Sequence, residues 1–120
     1  MSKQTILVVD DERDLLDLIE YNLKKEGFKV LKAENGEEGI SKAKEHRPDL
    51  ILLDIMMPKM DGLEAVEIMR KDDDLKKTPI IFLTTENGIP KPVVYCPFTA
   101  TLFFQLVNDC FHRLFIRESS

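Results

Sequence analysis

The chain has 120 residues with 43% hydrophobic and 32% charged content, values typical of one globular domain and not of a disordered chain. Its formal net charge is −5 and its basic residues form only isolated pairs, so we expect no nucleic-acid binding. No apolar run is long enough to cross a membrane, and no secretory stretch begins the chain. Cys96 and Cys110 lack metal-ligand spacing, so we expect them to be reduced thiols in a cytoplasmic protein.

Predicted strands and helices alternate along the first two thirds of the chain. Strands are predicted at short apolar runs, and helices at longer segments with apolar residues on one face. In chain order these elements are a strand over 5–10, a helix over 13–26, a strand over 28–33, a helix from 35 to just before Pro48, a strand over 49–54, a helix over about 62–75 and a strand over 79–84. Repeated units of this kind predict a doubly wound, flavodoxin-like α/β sandwich of three layers around a mostly parallel five-stranded sheet.

The regular alternation ends after Thr84. Only eight residues, 85–92, precede the next strand-like run over 93–96, whereas a parallel crossover usually needs a dozen or more residues and a helix. The Asn87-Gly88 dipeptide in this segment is a strong hairpin signal. The fifth strand therefore either joins in parallel through an unusually tight loop or turns back antiparallel, and we predict that the fourth crossover helix is missing.

The last predicted element, over 99–116, is a helix that is apolar on nearly every side. A surface helix normally carries one apolar stripe. This helix either fills core space left by the missing helix or forms a homodimer interface, because large apolar patches usually mark interfaces.

Three aspartates follow the apolar runs of two predicted strands. Asp10 and Asp11 follow the run over 5–9, and Asp54 follows the run over 50–53. Ligands of parallel sheets lie outside the carboxyl ends of the strands, so we expect the three carboxylates to face one crevice. Carboxylates this close raise one another's pKa unless a cation joins them. Mg2+ suits such an all-oxygen site and retains waters for a phosphate, so the sequence predicts a site for phosphoryl chemistry.

Two motifs that contain these aspartates resemble the response-regulator receiver domain of bacterial two-component signalling. They are Ile-Leu-Val-Val-Asp-Asp-Glu over 6–12 and Asp-Leu-Ile-Leu-Leu-Asp-Ile-Met-Met-Pro-Lys-Met-Asp-Gly over 49–62, and the run over 79–84 also fits. Within a single predicted receiver domain over 1–120, residues 1–88 resemble the family and 89–120 are atypical. The resemblance implies phosphorelay signalling, with a histidine kinase or phosphotransfer protein as the partner.

The resemblance also implies a role for each residue of the predicted site. Asp54 would be the phosphoacceptor and would bind Mg2+ or Mn2+. Asp11 would bind the metal directly, Asp10 directly or through water, and the backbone carbonyl of Met56 would be a further ligand. Thr84 would hydrogen-bond the phosphoryl group as the switch hydroxyl.

The residues after Thr84 depart from the family pattern. The family carries a lysine before a proline at the end of its fifth strand, and that lysine pairs with the phosphoryl group, whereas Cys96 stands there in this chain. Lys91 also precedes a proline and is a second candidate, although it comes early in the predicted strand order. Val93 aligns with the position of a switchable aromatic ring. We therefore expect phosphorylation to survive and the response to it to be weakened.

Two other classes of function compete with a phosphoacceptor regulator. The missing lysine and fourth helix would favour a receiver-like interaction module that is not usefully phosphorylated. A Mg2+-dependent phosphatase would need a second acidic residue two positions after its nucleophile; Asp10 and Glu12 have that spacing, but the chain is short for a substrate pocket. We predict a regulator rather than an enzyme, and either a stand-alone domain or a fragment of a longer regulator.

Overall fold

The structure of the protein is a computed structural model that describes residues 4–54, 62–86 and 89–94. From residue 84 onward it describes only the backbone and its strand pairing. The predicted helix over 99–116, its dimer face, Cys96 and Met56 lie outside the described residues. The elements of the described part are, in order, β1 (Thr5–Val9), α1 (Arg13–Lys25), β2 (Lys29–Ala33), α2 (Gly36–His46), β3 (Leu50–Asp54), α3 (Gly62–Arg70), β4 (Ile80–Glu86) and β5 (Ile89–Val94). No helix in these ranges has the length and apolar character that a bilayer crossing requires.

The five strands form one sheet in the order β2-β1-β3-β4-β5. β1 pairs in parallel with both β2 and β3, and β3 pairs in parallel with β4. The chain therefore builds outward from β1 in both directions, which places a topological switch point between β1 and β3. Ligands of open α/β sheets bind outside the strand ends at such a point. The predicted doubly wound, mostly parallel sheet is confirmed.

Helices cover both faces of the sheet, and each face carries its own apolar core. β1 shows the alternation, because Ile6 and Val8 belong to one core while Leu7 and Val9 belong to the other. All four residues are at most 1% exposed, as expected for a strand that is buried on both sides. α1 packs on the first face through Leu16, Ile19 and Leu23, and α2 and α3 pack on the second through Ile40, Ala43, Ala65, Val66 and Met69.

The chain turns back after β4 instead of crossing over. β5 pairs antiparallel with β4, and Glu86 stands opposite Ile89, which leaves two residues between the strands and no room for a helix. Of the two arrangements that the sequence leaves open, the structure has the antiparallel one. The predicted bounds of these strands were wrong, because β4 continues past Thr84 to Glu86 and β5 already begins at Ile89, before the predicted run over 93–96. Pro90 and Pro92 make this strand hard to recognise in the sequence. A strand at the edge of a sheet tolerates proline.

α3 ends at Arg70, five residues before the predicted end. The guanidinium of Arg70 donates hydrogen bonds to the carbonyls of Leu75, Lys76 and Thr78, at 2.9, 2.9 and 3.1 Å. Leu75 is fully buried, so its apolar character reflects core packing by the turn and not a further turn of helix. Arg70 therefore stabilises the turn that connects α3 to β4.

Candidate functional site

Asp10, Asp11 and Asp54 lie together at the carboxyl edge of the sheet. One carboxylate oxygen from each lies within 4.8 Å of the other two. The register explains this arrangement, because Val9 stands opposite Leu53 and the next residue on each strand is an aspartate. The strand-end argument expected these side chains to face one crevice, and the structure brings them together at the switch point between β1 and β3.

Asp10 is the buried member of the group, with 3% of its surface exposed. Its Oδ1 accepts a hydrogen bond from the backbone N–H of Glu12 at 2.9 Å, and its own N–H donates to the carbonyl of Ala33 at 3.0 Å. Burial raises the pKa of Asp10 to about 6; the Glu12 N–H opposes this, and the charges of Asp11 and Glu12 reinforce it. A cation at this carboxylate would favour its ionised form.

The turn at Asp10 is a feature that the sequence analysis missed. A side-chain oxygen that accepts from the N–H two residues ahead forms an Asx turn, and here it leads from β1 into α1. An aspartate directly after a strand and just before a helix was the signal that could have revealed it. The turn fixes the direction of the Asp10 carboxylate before any ligand binds.

The three carboxylates differ in their exposure to solvent. Asp54 is half-buried at the end of β3, and Asp11 is exposed. Solvent exposure therefore increases from Asp10 through Asp54 to Asp11. A ligand can approach from the side of Asp11 and Asp54, while Asp10 forms the floor of the site.

The donor set fits a hard divalent cation. All three groups offer carboxylate oxygens, which are the ligands that Mg2+ prefers, and Mg2+ needs only one or two carboxylates beside its waters. With Mg–O distances of about 2.1 Å, oxygens that share one octahedral ion lie about 3 to 4.2 Å apart. The observed limit of 4.8 Å is close to that range, so small side-chain rotations suffice to bring two or three of these oxygens onto one ion.

Thr84 and Lys91 occupy neighbouring register positions on the next strands. Asp54 stands opposite Leu83, so Thr84 lies one residue beyond the row of Asp54 on β4. Lys91 on β5 stands directly opposite Thr84. Because strands lie about 4.8 Å apart and rise about 3.3 Å per residue, the Cα atoms of Asp54 and Thr84 are about 6 Å apart.

A cavity of about 310 Å³ lies apart from the three aspartates, between α1, β2 and α2. Its charged side chains pair with one another: Arg13 contacts Glu34 at 3.1 Å, and Lys32 contacts Asp17 at 2.9 Å. These cations are therefore compensated locally, and the cavity supplies no group to the carboxylate site.

The sequence and the fold are similar to those of known signalling proteins. A family model for the response regulator receiver domain matches residues 6–103. The alkaline phosphatase synthesis transcriptional regulatory protein PhoP of Bacillus subtilis (strain 168) is 44% identical over 82 residues, which are 68% of this chain and 33% of that protein. The chain thus spans about a third of the length of that curated relative.

Two solved structures show the same fold. The chemotaxis protein CheY4 of Vibrio cholerae has 36% sequence identity and a TM-score of 0.69, over 72% of each chain. The N-terminal domain of a response regulator receiver protein from Methanoculleus marisnigri JR1 has 29% identity and a TM-score of 0.70, over 98% of this chain and 100% of that one. With the carboxylate site at its switch point, the chain belongs to the response regulator receiver domain family, whose members are phosphoacceptor domains of phosphorelay signal transduction.

Proposed function

We propose that Asp54 is the phosphoacceptor and that it takes its phosphoryl group from a histidine kinase or a phosphotransfer protein. The convergence of Asp10, Asp11 and Asp54 at the carboxyl edge of the sheet carries the proposal. Asp10 is 3% exposed and cannot meet an incoming donor. Asp11 lies in open solvent beyond β1. Asp54 is both reachable and held in place by its strand, as a nucleophile needs to be.

The reaction exchanges one bond to phosphorus for another. A carboxylate oxygen of Asp54 forms a bond to phosphorus while the bond from phosphorus to the donor's imidazole nitrogen breaks. The electron pair of the broken bond returns to that nitrogen, and the product is an acyl phosphate on Asp54. The hydroxyl of Thr84 would donate a hydrogen bond to a phosphoryl oxygen.

Asp10, Asp11 and Asp54 would hold the divalent cation, with the backbone carbonyl of Met56 as a further ligand. Bound Mg2+, or Mn2+ in its place, would neutralise charge on the transferring phosphoryl group and align it. Asp10 would contribute most when ionised, and a bound cation offsets the burial that raises its pKa to about 6.

The interaction-module alternative is weaker than the phosphoacceptor reading. A module that is never phosphorylated has no use for a buried carboxylate beside two others, since burial and like charge both oppose its ionisation. The family is one of signalling domains rather than enzymes with turnover. We also propose that residues 1–120 form a single receiver domain and that the protein is cytoplasmic. Cys96 has no role in the proposed reaction.

The test is the intact mass of the protein after incubation with Mg2+ and acetyl phosphate. We expect the gain of one phosphoryl group, which EDTA prevents and which the isosteric Asp54→Asn variant lacks. Asp49→Asn is the matched control, because Asp49 begins the approach to the same strand but its Oδ2 accepts from the N–H of Thr5 at the opposite edge. A gain that persists in Asp54→Asn, or its absence from folded wild-type protein, would reject the proposal.

A further inference from the structure

β2 lies at one edge of the described sheet, where only β1 pairs with it. The N–H of Lys29 donates to the carbonyl of Gln4 at 2.9 Å. The carbonyl of Ala33 accepts from the N–H of Asp10 at 3.0 Å. Because the residues of a strand alternate between its two neighbours, the residues next to these point their backbone groups away from β1. They are Val30, Lys32 and Glu34, and an edge of this kind can pair with a strand of another chain.

Two side chains of α2 bind backbone groups on this outer edge of β2. Oε1 of Glu38 accepts from the N–H of Glu34 at 2.8 Å, and the Nζ of Lys42 donates to the carbonyl of Lys32. The same Nζ lies 3.3 Å from Oε2 of Glu38. One residue of an added parallel strand would donate to the carbonyl of residue 32 and accept from the N–H of residue 34. The Glu38–Lys42 pair therefore makes the two hydrogen bonds that such a residue would make.

Helix capping explains only part of this arrangement. Oδ1 of Asn35 accepts from the N–H of Glu38 at 2.8 Å and caps α2. In a capping box the acidic side chain would bond in return to the N–H of the capping residue, but Glu38 bonds instead to Glu34, one residue closer to β2. Lys42 lies one turn further along α2 and has no place in a capping box. The N–H of Glu34, and after it Lys42, hold the pKa of Glu38 below its ordinary value, so this carboxylate is ionised at neutral pH.

The surroundings of the two sheet edges agree with a protective role. The cavity of about 310 Å³ between α1, β2 and α2 borders this edge, and both Glu38 and Lys42 line it. The opposite edge of the described sheet is β5, in which Pro90 and Pro92 have no N–H to offer. Proline and charged side chains, lysine above all, are the usual means by which proteins protect sheet edges. Both edges of the described sheet therefore carry groups that oppose the addition of a strand.

We propose that the outer edge of β2 is a pairing surface for the same edge of a second copy of this chain, and that the Glu38–Lys42 pair keeps it closed. Loss of the pair frees the carbonyl of Lys32 and the N–H of Glu34. The inference is independent of the proposed phosphoacceptor role, because no residue of the carboxylate site takes part in it.

A second copy fits this edge because the contact is self-complementary. A two-fold axis perpendicular to the sheet sets two β2 edges antiparallel, so that the outward backbone groups of Val30 and Lys32 in each copy face those of the other. The side chain of Lys32 does not make the two copies repel each other. Its Nζ lies 2.9 Å from carboxylate oxygens of both Asp17 and Glu20 and is neutralised within its own copy.

The experiment measures molar mass by light scattering over a series of protein concentrations for wild type and for Glu38→Ala/Lys42→Ala. Alanine keeps the helical propensity of α2. We expect the double variant to self-associate about tenfold or more tightly than wild type, because each copy has additional backbone groups free to pair. Asp73→Ala/Lys76→Ala is the matched control. It also removes one charge of each sign from an ion pair of 3.3 Å, but in the turn after α3, and it should associate like wild type.

Hydrogen–deuterium exchange locates the contact. In dilute protein the N–H of Glu34 should exchange faster in the double variant than in wild type, because its acceptor is gone. In concentrated protein, exchange over residues 30–34 of the double variant should become slower as the strands pair. Association without this slower exchange would place the contact elsewhere and overturn the proposal, and so would a folded double variant that associates like wild type.

A milder substitution decides the question if circular dichroism shows that the double variant does not fold. Lys42→Met keeps Glu38 and its hydrogen bond to Glu34, and it frees only the carbonyl of Lys32. We expect Lys42→Met to associate more tightly than wild type, with slower exchange over residues 30–34 in concentrated protein. Association equal to that of wild type in folded Lys42→Met would refute the proposal.

Discussion

Replacing Asp10 with asparagine should stabilise the metal-free protein at neutral pH and reduce its stabilisation by Mg2+. Asparagine has nearly the same shape as aspartate, and its Oδ1 can still accept from the Glu12 N–H, which lies 2.9 Å from the carboxylate oxygen. The substitution therefore removes a buried charge and a proposed metal ligand, and it keeps the turn that joins β1 to α1.

The magnitude follows from the pKa of Asp10, which burial raises from its ordinary value of 3.8 to about 6. A group whose pKa is higher in the folded state favours folding when it is protonated. Its contribution is fully present below pH 3.8 and is lost as the pH rises through about 6. At about 1.4 kcal/mol for each pKa unit, the ionised carboxylate lowers the free energy of unfolding by at most about 3 kcal/mol relative to a neutral side chain.

The assay is urea unfolding in EDTA followed by circular dichroism, since the chain has no tryptophan. Asp10→Asn should exceed wild type by up to about 3 kcal/mol at about pH 8, and the difference should shrink toward zero at about pH 4. Asp14→Asn, in the exposed first turn of α1, should differ from wild type by less than about 0.5 kcal/mol at both pH values. Mg2+ should raise the stability of wild type more than that of Asp10→Asn, which keeps only Asp11 and Asp54 of the three carboxylates.

Two results would contradict this reasoning. If Asp10→Asn were no more stable than wild type at about pH 8 without metal, the burial of the charge would not be costing the stability that its pKa implies. If its advantage persisted unchanged at about pH 4, the gain would come from packing or hydrogen bonding and not from the removed charge.

Two further substitutions test how the fold supports the site. Gly39→Ala should destabilise the protein by about 1 to 2 kcal/mol in the same assay although alanine favours helices, because its Cβ would meet Cγ2 of Val9 at 2.8 Å. Since Val9 precedes Asp10, the affinity for Mg2+ should fall too. An unchanged affinity would argue against coupling between Gly39 and the carboxylate site. Arg70→Met should lower the free energy of unfolding by about 2 kcal/mol or more, because three carbonyls of the turn after α3 lose a charged donor. Amide hydrogen exchange at the start of β4 should become faster. An equal loss of protection from exchange in all strands would indicate a global effect instead.

Much of the fold could be predicted because its signals are local. The apolar run of β1 is buried on both faces, and a continuous apolar run is what such a strand requires. Repeated strand and helix segments then leave few topologies, since crossovers of parallel strands are right-handed. The approach of Asp10, Asp11 and Asp54 follows from the same local rule, because parallel strands end at one edge.

The tertiary structure decided what depends on partners distant in the chain. The direction of β5 depends on whether it can pair with β4, and the two prolines hid a strand that an edge position tolerates. The apolar Leu75 resembled a helical position although Arg70 holds it in a turn. The burial that raises the pKa of Asp10 arises only when its neighbours surround it. Sequence patterns record which side of an element is apolar, whereas strand direction and desolvation are properties of the assembled sheet.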